Sequence, residues 1–272
     1  QLVMKEVRDF RVFPVHAHAY LLGELELLQN GEQSSYPVHI PHHQVKTGSV
    51  SGERPELYAI SSEDRYGPPV GMEDVIDLTG KMDEEGSLTW SFPEGNWTVI
   101  RFGYTITGAG NYPATEAGEG LECDKMDTAS VGLHFRSFPQ KLADCAGELT
   151  GSSFRFLLID SWEAFYQNWT GDFPGAFEKL NGYRITPWIP VLCGMVVGSV
   201  KESESFLHDF RHTIASLIKR NYYRHMADLC HRHGLDLHAE VIYGGGTDPA
   251  LDILKASSYV DVPTYEFWSR NN

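Results

Sequence analysis

The sequence predicts an α/β chain: a (β/α)8-type (TIM) barrel, incomplete within these 272 residues, preceded by a β-rich N-terminal segment. Two observations predict it. From Trp97 onward, short apolar runs alternate with loops and amphipathic helices, which is the order of a parallel sheet. Three of those runs finish in a carboxylate, at Asp160 and Glu163, at Glu240 and at Glu266. Barrel active sites are built where strands end. The expected division is a β-rich, irregular segment over 1–92 and a β/α-barrel catalytic region over 93–272.

Residues 1–92 begin with loose alternation at Arg11 to Tyr20 and a strand or short helix at Leu21 to Leu28. A stretch rich in Ser, Gly, Pro and His then reads as loops and short strands. Val75 to Leu78, Leu88 to Trp90 and Trp97 to Thr105 suggest a β-meander, with Pro93-Glu94-Gly95-Asn96 supplying a turn. A Gly-rich loop from Gly108 to Gly120 leads into a predicted helix over Thr128 to Ala146.

Phe154 to Ile159 has the continuous apolar character of a buried parallel strand. The clearest helix spans Ser205 to His233. Leu207, Phe210, Ile214, Leu217, Ile218, Tyr222, Met226 and Leu229 recur at steps of about three and four on one face. Glu202 and Glu204 suit the positive end of its dipole, and Gly234 suits the residue just past its end. Leu235 to Tyr243 and Tyr259 to Glu266 read as further strands, separated by the Gly244-Gly245-Gly246 turn and a short helix. The pattern supplies four or five barrel strands. A complete barrel has eight and takes about 250 residues, so the chain is expected to stop before closure.

Composition narrows the function. Hydrophobic residues are 42% and charged residues 22% of the chain, as in ordinary globular proteins. The formal net charge of -15 would repel a phosphate backbone, which argues against nucleic-acid binding. No apolar stretch is long enough for a membrane span. No signal peptide is visible at Gln1, and a processed start or a piece of a longer protein is expected. Cys123, Cys145, Cys193 and Cys230 form no C-x-x-C pair, so they are expected to be buried small hydrophobes rather than zinc ligands. Gly-x-Ser-x-Gly, Gly-x-Gly-x-x-Gly and P-loop patterns are absent from the sequence. The histidines at 16, 18, 42, 43, 225, 231 and 233 are read as surface or capping residues, and the sequons at Asn96 and Asn168 as chance.

The strand-end carboxylates sit among sugar-binding residue types. Trp162, Phe165, Tyr166 and Trp169 surround Glu163; His238 precedes Glu240 and Tyr243 follows it; Tyr265 and Trp268 flank Glu266. Aromatic faces stack on the apolar face of a pyranose, while carboxylates and imidazoles bond its hydroxyls. Glycosidic cleavage needs two carboxyl groups, one to protonate the leaving oxygen and one to activate water or attack. A single acid past a strand is as well explained by an N-cap or a solvated loop. Three at successive strand ends, each with aromatics, point to a barrel glycosidase, either retaining or inverting; a sugar-binding fragment without turnover is the non-enzyme alternative.

Pro93 to Thr105, Gly120 to Met126, Ile159 to Glu163, Pro187 to Gly194, His231 to Leu235 and Asp261 to Trp268, in that order, resemble glycoside hydrolase family 106 over residues 75–268. The resemblance implies a bacterial α-L-rhamnosidase acting on plant or bacterial glycans with inversion, by a glutamic acid pair, with calcium at the sugar site and a secreted or periplasmic location. It places the general acid on Glu163 in the Asp160-Ser161-Trp162-Glu163 block. Glu240 and Glu266 are left as substrate ligands, calcium ligands or the partner carboxylate, which could also lie beyond Asn272. Asp124 and Lys125 would recognise hydroxyls, together with Asp160, Trp162, His238, Tyr243 and Trp268. The calcium ligands are not assigned, since no contiguous calcium loop is present.

Overall fold

The computed structural model describes residues 2–5, 24–29, 33–36, 69–81, 83, 88–91, 93, 96–104, 109–111, 114–160, 167–241 and 252–265. They fall into two compact units: one made of 1–13, 22–102 and 184–207, the other of 14–21, 103–183 and 208–272.

The first unit is antiparallel. Strands β1 (Leu2–Lys5), β2 (Glu24–Gln29), β3 (Gln33–Tyr36), β4 (Ile76–Asp77), β5 (Leu88–Ser91) and β6 (Asn96–Arg101) form a sheet ordered β2-β6-β1-β4 and a separate β3-β5 pair. The expected meander is therefore not formed. β1 inserts between β4 and β6, with Val3 opposite both Ile76 and Val99, while β5 pairs with β3. Local turn signals could not reveal partners so distant in sequence. Two apolar clusters lie in this unit: Val70, Ile100 and Met195, and Leu78, Leu88 and Trp97. Trp97 is fixed by an edge-on contact with Trp90 at 5.9 Å and by its Nε1 donating to Pro93 O at 2.9 Å.

The second unit is α/β. Its helices are α1 (Thr128–Ser137), α2 (Pro139–Ala146), α3 (Phe173–Asn181), the C-terminal part of α4 (Val200–Leu217), α5 (His225–Arg232) and α6 (Ile253–Ser257). Asp127 caps α1 by accepting from Ala129 N and Ser130 N at 3.1 and 2.9 Å. The single helix expected over Thr128 to Ala146 breaks at Phe138. Pro139 disfavours helical geometry in the residue before it but is well placed to start α2.

The long helix begins at Val200, five residues earlier than expected, and is π-helical over Ile218–Arg224. The wider turn shifts the buried face, so Tyr222 and Tyr223 are both buried, followed by Met226, Ala227 and Cys230. Leu229, expected on that face, is only half-buried. Gly234 follows α5 with φ of 73°, the left-handed turn its position suggested.

Strands β7 (Phe156–Ile159), β8 (Asp236–Glu240) and β9 (Val262–Thr264) form a parallel sheet in that order. Ile159 stands opposite Ala239, and Glu240 opposite Thr264. Leu237 and Ala239 point to a fully buried face, each residue of Leu237's size contributing about 1.5–3 kcal/mol. Phe156 and Leu158 point the other way and are 40% and 63% exposed, so β7 is not the doubly buried strand its apolar run suggested. Among the described residues the sheet is open and three-stranded; a complete barrel is not formed. Cys145 is exposed rather than buried, whereas Cys230 is buried, with its thiol pushed up to about 12 by that burial.

Candidate active site

Parallel pairing places two of the strand-end acids, Asp160 and Glu240, side by side. Asp160 directly follows Ile159, whose partner Ala239 directly precedes Glu240. The two carboxylate-bearing residues therefore occupy matching positions on adjacent strands, whose backbones run about 4.8 Å apart across the sheet. Alternation along β8 puts Asp236, His238 and Glu240 on one face, and that face carries Thr264 beside Glu240. His238 meets the ring of Phe156 edge-on at 6.5 Å, and its Nε2 is buried without a hydrogen-bond partner among the described residues.

Tyr223, from the π-helical segment, is fully buried, and its hydroxyl also lacks a hydrogen-bond partner among the described residues. Burial raises its pKa, and the negative charge of Glu240 raises it further. Unpaired buried polar groups are costly. Nothing in the sequence distinguished Tyr223 from the apolar positions around it.

Asp124 and Lys125 belong to a second, more enclosed cluster. Asp124 accepts from Gln167 Nε2, from Thr170 Oγ1 at 2.7 Å and from Met126 N at 2.8 Å. Lys125 is buried, its ammonium bonded to Glu122 at 2.5 Å and lying 5.4 Å from the centre of the Tyr222 ring. Gln167, 1% exposed, also accepts from Lys125 N through Oε1 at 3.4 Å. These bonds tie the 122–126 loop to 167–170, the stretch that directly follows the segment bearing Glu163. Gln167 and Thr170 were not foreseen, because a lone amide and a lone hydroxyl carry no spacing signal. Asn168 is buried, in keeping with the reading of its sequon as chance.

Trp162, Glu163, Tyr243, Glu266 and Trp268 lie outside the described residues, as do His16, His18, His42 and His43. Among the described residues, His231, Asp236 and Asp261 are grouped closely enough to hold a metal ion. They sit at the other end of the sheet. Asp261 bonds His231 Nε2 at 2.9 Å and Leu237 N at 2.8 Å, while Asp236 accepts from Arg155 Nε at 2.9 Å. Ion pairs and a backbone bond account for that group. No helix of the described residues is long and apolar enough to cross a membrane.

The alpha-L-rhamnosidase family profile matches residues 39–272. A Formosa agariphila protein named "Putative beta-glucuronidase" is 39% identical over 197 residues, covering 72% of this chain and 16% of its own length. A solved rhamnosidase from Novosphingobium sp. PP1Y superposes with a TM-score of 0.64 at 35% identity, over 71% of this chain and 19% of its own. The chain thus spans less than a fifth of the length of either protein.

Proposed function

This chain belongs to the α-L-rhamnosidase family of glycoside hydrolases, family 106, and from that premise we propose that it carries part of a (β/α)8 barrel that removes terminal α-L-rhamnosyl residues from glycans. The observation that carries the reading is the parallel ladder β7-β8-β9, which brings Asp160 and Glu240 to matching strand ends and leads directly into the segments holding Glu163 and Glu266. Glu163 is the general acid in this reading, protonating the glycosidic oxygen as the bond to the anomeric carbon breaks. Glu240 or Glu266 removes a proton from the attacking water, or binds substrate if the base lies elsewhere in the polypeptide. Inversion requires the acid and base about 6.5–9.5 Å apart, leaving room for that water. His238, Tyr243, Trp162 and Trp268 bind the sugar, and the glycan substrate implies a secreted or periplasmic enzyme.

Calcium is part of the proposal. Asp160 and Glu240 offer hard carboxylate oxygens of the kind it prefers, whereas the imidazole of His231 does not suit it. Bound there, calcium would order sugar hydroxyls. The enclosure of Asp124 and Lys125 supports a role in shaping the loops at this rim.

The name of the Formosa protein favours one competing reading, cleavage of a β-glucuronide. Hydrolysis of an aryl α-L-rhamnoside and an aryl β-D-glucuronide, with and without a chelator and beside Glu163→Gln, separates the two. Rhamnoside cleavage lost in Glu163→Gln is the expected result. Glucuronide cleavage alone would overturn the specificity, and activity retained in Glu163→Gln would overturn the acid.

A further inference from the structure

We propose that His208 and His212, on α4, form a binding site for a divalent transition metal of the zinc, nickel and copper class. The site uses none of the strand-end residues and is independent of the glycosidase reading. The two histidines are four residues apart within α4, which places them one turn apart on the same face of the helix. Both are exposed, and their rings are parallel to within 6° with centres 6.3 Å apart. Two imidazoles bound at about 2.0–2.1 Å to one tetrahedral ion have ring centres about 5 Å apart. Closing that gap of about an ångström takes small side-chain rotations, which exposed rings make readily.

Support behind His208 sets it apart from an ordinary surface histidine. Its Nδ1 lies 3.3 Å from Asp209 Oδ1. A carboxylate can only accept, so in the neutral ring the proton belongs on Nδ1 and the lone pair on Nε2. The side chain is 80% exposed, which leaves that lone pair open to an ion. Asp209 is itself held, its Oδ2 accepting from the Tyr183 hydroxyl at 3.0 Å. Burial raises the Tyr183 pKa, and the bond to Asp209 and its charge raise it further, so the hydroxyl stays a donor. Tyr183 in turn packs edge-on at 5.0 Å against Phe177, which is fully buried. A carboxylate on the far nitrogen of a histidine is the arrangement that orients metal-binding imidazoles and raises their basicity. Imidazole suits zinc, nickel and copper, whereas calcium takes oxygen ligands.

The test is calorimetric titration of the chain with zinc chloride, alone and in the presence of calcium chloride, beside thermal unfolding of each variant with and without zinc. The unsubstituted chain is expected to take up zinc saturably and to unfold at a higher temperature with it. His208→Ala and His212→Ala should each lose one equivalent of zinc, with the metal-free midpoint unchanged because both rings are exposed. Asp209→Asn should weaken the same uptake by about tenfold. Calcium should not compete for the site. Zinc uptake unchanged in either histidine variant, the result expected of isolated surface histidines, would overturn the site. So would the absence of saturable uptake by the unsubstituted chain. Unchanged affinity in Asp209→Asn would overturn the part given to that carboxylate, and competition by calcium would overturn the metal class.

Discussion

The two ends of the parallel sheet are built to different rules. Where the strands begin, carboxylates are matched to partners: Asp236 to Arg155, and Asp261 to both His231 and the Leu237 amide. Where they finish, Asp160 and Glu240 stand in register beside segments that carry further acids in the sequence, and Glu240's charge acts on the buried hydroxyl of Tyr223. The same residue type therefore locks the sheet at one end and, in the proposed function, works at the other. In the proposed function, position along the strand, more than acidity, separates the two roles.

Substitutions can break this comparison from either side. The largest expected effect is on activity: Glu163→Gln should lower rhamnoside hydrolysis by roughly 10²–10⁴-fold, with the unfolding midpoint unchanged. Next is Asp261→Asn, which should cost about 1–2 kcal/mol in a denaturant titration by removing a charged acceptor from the Leu237 amide and His231. Burial pushes the Asp261 carboxyl upward, but the Leu237 amide and His231 outweigh it and hold it below the ordinary carboxylate value. A lowered folded pKa gives stability that is present above the unfolded value, about 3.9, and is lost as pH falls through the folded one. Asp261→Asn should therefore flatten the acid limb of stability against pH while leaving activity in place.

Tyr223→Phe should do the opposite. Removing a buried hydroxyl that has no hydrogen-bond partner among the described residues is expected to raise stability by about 1 kcal/mol, and activity should fall if that hydroxyl serves the site. The smallest effect is expected for Arg155→Ala, within about 0.5 kcal/mol, because its bond to Asp236 is a solvent-exposed one. A large loss there would mean that the ion pairs at the strand starts carry more than register.

Local physics made much of this fold legible. Apolar runs located β7, β8 and β9, and the Gly234 turn followed from its place after the long helix. Pairing in the first unit was not legible, because β1 and β6 meet across more than ninety residues of chain. The break at Phe138 was legible in principle from Pro139. The π-helical segment was not, because Ile218 to Arg224 has ordinary helical spacing and only packing shows that Tyr222 and Tyr223 are both buried. For the candidate site, the strand-end positions of Asp160 and Glu240 could be read from sequence. Gln167, Thr170 and Tyr223 could not, since each is picked out only by a neighbour distant in the chain.

One strand holds the most direct test of the account. Asp236 and Glu240 lie on the same face of β8, about 13 Å apart at opposite ends. Activity toward an aryl α-L-rhamnoside and thermal unfolding should be measured for Asp236→Asn and Glu240→Gln side by side. The account predicts that Glu240→Gln loses kcat/KM by at least about a hundredfold at an unchanged midpoint, while Asp236→Asn keeps its activity and, to within about 0.5 kcal/mol, its stability. Equal losses of activity in both, or a loss confined to Asp236→Asn, would contradict it.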